Sequence, residues 1–167
     1  WTRLINKVEP SYIRVEADEV TYNLHVLIRY EIEREILKKE LDVKDRPEAW
    51  NSKMKAYLGI TPRNDGEGCL QDVHWSMGAI GYFPTYSMGN LLSYQIWEKL
   101  RADLGDTDEL IAKGEFATIL GWLQEKIYRP ASSKTPRDLV MSVTGKPMGA
   151  EDYLKNLTSK YRSLYVI

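Results

Sequence analysis

The chain has 167 residues, the size of one ordinary domain and long enough to bury a hydrophobic core. Its 43% hydrophobic and 28% charged residues are the composition of a folded globular protein, and a net charge of −1 gives no bulk attraction to nucleic acid or to an anionic membrane. No apolar run approaches the ~18 residues of a membrane span, and Cys69 is a lone cysteine without an internal disulfide partner, which points to a reducing cytoplasm.

Taken in chain order, residues 9–14 hold a proline and a short β-prone run and are expected to be extended. The spacing predicts a helix over 16–41. There Val20, Leu24, Leu27, Ile28, Ile32 and Ile36 recur at three- and four-residue steps, with acids near the start and lysines near the end. A second helix is predicted after Asp45, a candidate cap, with Pro47 in its first turn and Gly59 as its stop. "TPRNDGEG", residues 61–68, reads as a polar loop.

"GCLQDVHWSMGAIGYFPTY", residues 68–86, follows, and Pro84 is placed in the first turn of a helix that runs to Leu104. Residues 108–128 read as helical with a break at Gly114, residues 129–138 as a connector, and residues 149–167 as a last helix. The fold class expected is all-α, with residues 1–167 forming a single helical region that is one domain or part of one. Five tryptophans and eleven tyrosines against two phenylalanines favour aromatics with a polar handle, as clefts and interfaces do. The chain opens at Trp1 without a methionine, and this end is expected to be a cut rather than a natural start.

The two histidines, His25 and His74, lie far apart, and there is no HExxH, so no complete metal site is expected within these residues. Cys69 and Ser76 sit near His74 but on no nucleophile elbow, and "NDGEG" lacks the Lys and Ser/Thr of a phosphate loop. What remains is a polar group suited to anion binding. His74 and a tyrosine hydroxyl can donate to an oxyanion, Asp72 can orient a neighbour, and Arg14 can clamp a carboxylate. Each also has a plain structural reading, as a buried hydrogen-bonded histidine or an arginine paired with Glu16 or Asp18.

"YIRVEAD" and "GCLQDVHW" carry a stronger signal. They resemble the motifs I(R/A)xxAD and GxxQDxHW of the M32 family of thermostable metallocarboxypeptidases. The first matches at Ile13, Arg14, Ala17 and Asp18, the second at Gly68, Gln71, Asp72, His74 and Trp75, and "DRPEAWNSKM" and "YFPTY" fall in the family's order. The resemblance covers essentially the whole chain. It implies the C-terminal part of a larger, mainly helical zincin-type peptidase, roughly three times this length against the one-domain size prior. The HExxH, the further glutamate ligand and a zinc or cobalt ion would belong to the missing N-terminal part.

The reaction implied is release of one C-terminal amino acid from a peptide by metal-activated water. The resemblance further implies His74 and Tyr82 as donors to the oxyanion, with Tyr86 as the alternative tyrosine at the substrate. It implies Arg14 as reader of the substrate carboxylate, and Asp18, Gln71, Asp72 and Trp75 as supports of the donors. A cytoplasmic homodimer is the assembly implied, with the isolated piece inactive and neither nucleic acid nor membrane as partner. The competing reading is a non-catalytic helical interaction module or a degenerate relative of the family.

Overall fold

The computed structural model describes residues 1–165. It is helical, and among these residues there is no strand and no helix long and apolar enough to cross a membrane. Two compact units divide the chain, one of residues 1–88 with 164–165 and one of residues 89–163.

The first unit opens with a four-residue helix α1, Thr2–Ile5, and an extended stretch ending in a 3₁₀ turn at Arg14–Glu16. Helix α2 spans Tyr22–Leu37, six residues later at its start than the apolar spacing predicts. Asp18 explains the delay. Its Oδ1 accepts the backbone N–H of Val20 and of Thr21, and its Oδ2 accepts the Thr21 hydroxyl, so the residues before α2 form a side-chain-capped turn. Helix α3, Arg46–Leu58, begins with Pro47 in its first turn and ends at Gly59, whose φ of +73° is the left-handed conformation glycine adopts without strain. Asp45 occupies the position before α3, yet its side chain makes no capping hydrogen bond.

Helices α2 and α3 pack against each other through Ile28, Ile32, Trp50, Met54 and Leu58, with Cys69 closing the cluster. The predicted apolar face of α2 is therefore real at Ile28 and Ile32, while Leu27 stands partly in solvent. A second side of the same helix is also buried, and it carries His25, Arg29 and Glu33.

Helix α4, Pro84–Leu104, begins at the predicted proline, and the division between the units falls within it. In the second unit the predicted break is present: α5, Thr107–Ala112, and α6, Phe116–Leu123, flank Gly114, and a π turn at Gln124–Tyr128 prolongs α6. The expected connector ends in an unforeseen helix α7, Pro136–Thr144. Thr135 caps it by accepting the Asp138 N–H, and Pro136 suits its first turn, so residues that read as turn formers are here helix-start residues. Helix α8, Glu151–Tyr165, closes the described chain; the last two residues of the predicted helix lie outside it. Leu100, Trp122 and Val143 form the core of this unit.

Met54 is fully buried at the contact of α2 and α3. Met54→Ala is expected to lower the free energy of unfolding by about 2–5 kcal/mol, read from urea titration followed by circular dichroism.

Candidate functional site

The segment 68–86 is held on α2 by polar contacts of Gln71, Asp72, Trp75 and the Gly81 N–H with Arg29 and Glu33. Gly68 sits in a tight place: a Cβ would lie 3.3 Å from the Asn64 carbonyl, a crowded approach, and in ordinary contact at 3.5 Å with the Trp50 ring. Gln71 is fully engaged. Its Oε1 accepts the Arg14 backbone N–H at 2.9 Å and Arg29 Nη2 at 2.8 Å, while its Nε2 donates to the carbonyls of Tyr12, Glu67 and Gly68.

Asp72 divides its carboxylate between two arginines. Oδ1 accepts Arg14 Nη2 at 2.8 Å and Nε at 3.3 Å; Oδ2 accepts Arg29 Nε at 2.6 Å, with Arg29 Nη2 2.5 Å away. Both arginines are buried, Arg29 completely. Burial alone would raise the Asp72 pKa, but the hydrogen bonds and charges of Arg14 and Arg29 outweigh it and hold the carboxyl below its ordinary value. Burial presses Arg29 down to about 10, which leaves it charged at neutral pH. For Arg14 burial also acts downward, and Asp72 and Tyr22 reverse the shift so that its pKa is raised.

His74 stands beside this clamp. Its Nδ1 is buried without a hydrogen-bond partner, 3.8 Å from Asp72 Oδ1, and its Nε2 lies 2.9 Å from the Tyr86 hydroxyl. The ring rests on Phe83, centroids 4.4 Å apart, and meets Tyr82 at 5.6 Å and Tyr86 at 5.8 Å. The roles in the Tyr86 contact follow the tautomer: with its proton on Nδ1 the ring accepts from the Tyr86 hydroxyl at Nε2, and with its proton on Nε2 it donates there. Tyr82 is half exposed.

Trp75 is held from the other side. Its Nε1 donates to Glu33 Oε1 at 2.7 Å, and Glu33 Oε2 accepts the Gly81 N–H at 3.2 Å. Glu33 and Trp75 also line a cleft of about 490 Å³ whose other walls include Ile36, Leu37, Val43, Leu70 and Ile80.

The structure thus gathers Arg14, Gln71, Asp72, His74, Trp75, Tyr82 and Tyr86 on one wall. Asp18 lies apart, its oxygens taken by the turn before α2 and by the Glu9 N–H. Arg14 is committed inward. Its Nε and Nη2 serve Asp72, its Nη1 donates to the Tyr22 hydroxyl at 2.7 Å, and its face lies 4.6 Å from the Tyr86 ring centroid. Sequence reasoning missed Arg29, Glu33 and Phe83. A signal for the first two exists, since His25, Arg29 and Glu33 recur every four residues beside the apolar stripe. Among the described residues no group of three or more His, Cys, Asp or Glu side chains fits a metal ion.

Solved structures and curated sequences share this arrangement of chain. The crystal structure of the M32 carboxypeptidase from Deinococcus radiodurans R1 superposes with a TM-score of 0.96 at 42% identity, over 99% of this chain and 33% of that one. Carboxypeptidase 1 of Bacillus subtilis is 46% identical over all of this chain and 33% of its own length. Thermostable carboxypeptidase 1 of Thermus thermophilus is 47% identical over 96% and 32%. The model of the family "Carboxypeptidase Taq (M32) metallopeptidase" matches residues 1–161. The chain belongs to this M32 family, and it spans about a third of the length of these relatives.

His25 gives a pH test of the packing. It is fully buried with both ring nitrogens unpartnered, and burial, then the Arg29 and Arg14 charges, lower its pKa from 6.5 to about 4. The unfolded chain therefore binds this proton more tightly than the folded one. Stability from this group is complete above about pH 6.5 and declines as the pH falls toward 4. Between pH 7 and pH 5 the loss is expected to be about 2 kcal/mol. Urea titrations of the protein and of His25→Leu at both pH values check it, because the variant should lack this part of the slope.

Proposed function

We propose that this chain forms the His74 wall of the active site of a metal-dependent carboxypeptidase, which removes single amino acids from peptide C-termini. The observation that carries the proposal is the cluster of His74 Nε2 with the Tyr86 and Tyr82 side chains, on a segment whose neighbouring carboxylate is locked by two buried arginines. Rigid donors aimed at a developing negative charge are what acyl-transfer catalysis requires, since they need no reorganisation as the charge appears.

In this reading His74 and Tyr82 donate to the oxyanion of the tetrahedral intermediate. His74 does so in the tautomer that carries its proton on Nε2, the nitrogen that meets the Tyr86 hydroxyl at 2.9 Å. Tyr86 holds the Nε2 edge in the resting site and borders the substrate. Gln71, Asp72 and Trp75 keep the segment in place. Arg14 acts by holding Asp72 rather than by reading the substrate carboxylate, because its donors and one face are already engaged. Asp18 acts one step further away, on the start of α2.

Among the described residues none form a group that fits the family's metal, and we assign its ligands to the rest of the parent protein, with zinc or cobalt as the ion. Residues 1–167 then form one region of a catalytic domain in a cytoplasmic homodimer.

In the full-length parent, His74→Ala is expected to lower kcat by about 10²–10³ while bound metal stays constant, and Tyr82→Phe to lower it by at least about tenfold. Release of C-terminal amino acids from a blocked peptide, measured beside metal content, checks both. A His74→Ala enzyme with undiminished kcat would overturn the assignment.

A further inference from the structure

We infer that Arg29 and Glu33, one turn apart on α2, are paired positioning residues that aim His74 and Tyr82 by gripping the segment on both sides of His74 and just before Tyr82. The inference rests on the reading of His74 and Tyr82 as oxyanion donors.

The two side chains point from one helix face into one loop, since residues four apart stack along a helix. Arg29 is 0% exposed and Glu33 5%, so neither charge is held by solvent. Arg29 grips Gln71 and Asp72, which precede His74. Its third anchor is the His25 carbonyl of its own helix, 2.7 Å from Nη1, which fixes the guanidinium against α2. Its flat face lies 4.5 Å from the Trp50 ring centroid and 5.4 Å from that of Phe83, the ring under His74. Glu33 grips Trp75, which follows His74, and the N–H of Gly81, which precedes Tyr82.

His74 is thus bracketed by residues 72 and 75, each tied to a different charge on α2. Tyr82 is tied through its preceding peptide to the second of those charges. A buried carboxylate with separate donors on its two oxygens, like a buried guanidinium with three distinct acceptors, has one orientation that satisfies it. Rotation of the segment would strand a charge in the interior, at a cost far above that of breaking a surface contact. The device therefore restricts the direction of the two donors, and positioning errors of about 1 Å cost on the order of 10²-fold in rate.

The test is a double-mutant cycle in the full-length metal-loaded enzyme. Glu33→Gln keeps size and one acceptor; Arg29→Lys keeps charge but loses the fork. Each is expected to lower kcat at least tenfold, with KM within twofold and metal content unchanged. In a His74→Ala/Tyr82→Phe background each should lower kcat by less than twofold, because residues that work through those two donors have nothing left to aim. Should Arg29→Lys fail to fold, Glu33→Gln carries the cycle by itself.

Losses that multiply in full with that of His74→Ala/Tyr82→Phe, or variants with unchanged kcat, overturn the inference and leave His74 and Tyr82 as donors. An unchanged kcat in His74→Ala itself overturns the donor reading and the inference together.

Discussion

Everything in the candidate site hangs on one carboxylate shared between two buried guanidinium groups. Asp72 meets Arg14 on Oδ1 and Arg29 on Oδ2, with side-chain exposures of 5%, 0% and 11% for Arg14, Arg29 and Asp72. Withdrawing three charges from water is costly, and the mutual attraction repays that cost only when the geometry satisfies every donor and acceptor. Here Gln71, Tyr22 and the His25 carbonyl take up remaining arginine donors. The arrangement is strict because it is expensive to leave half made. It fixes where residue 72 lies, and with it the direction in which residue 74 leaves the loop.

The aromatic residues turn that fixed point into a shaped surface. Phe83 is fully buried beneath His74, with Arg14 and Arg29 each within 6 Å of its ring, and Tyr86 covers the Arg14 face while its hydroxyl reaches His74. Cations over aromatic faces and a T-shaped Trp50–Trp75 contact give the wall stiffness beyond its apolar burial. Only Tyr82 of this group stands half in solvent. The wall is buried behind and half exposed at Tyr82, the side that receives a substrate in the function proposed above. In the proposed function its counterpart, with the metal of an M32 metallopeptidase, belongs to the part of the relatives' length that this chain does not span.

Much of the helical scaffold was legible because local chemistry and tertiary packing agree there. Pro47 and Gly59 bound α3, Pro84 starts α4, and Gly114 separates α5 from α6. The start of α2 was not, because Asp18 offers the backbone a capped turn that competes with helix, a choice that acid content near a helix end does not reveal. Helix α7 was missed for a related reason, since Thr and Pro serve turns and helix starts alike. At the site, the QDxHW residues were found by resemblance and by their unusual density of polar chemistry. Arg29 and Glu33 were not found. In sequence they read as the solvated face of an amphipathic helix, and only the loop folding back over that face buries them. Arg14 shows the converse limit. Its residue type suits a substrate carboxylate, but a carboxylate of the protein already occupies it.

The most direct measurement of the central claim is the unfolding free energy of Asp72→Asn at neutral pH by urea titration. The neutral amide keeps the size of the side chain and removes the charge that both arginines need. Loss of about 3–5 kcal/mol is the result expected, since two buried cations would lose their counter-charge at once. A variant within about 0.5 kcal/mol of the parent chain, the range of an ordinary surface substitution, would contradict the clamp as the constraint on which the site is built.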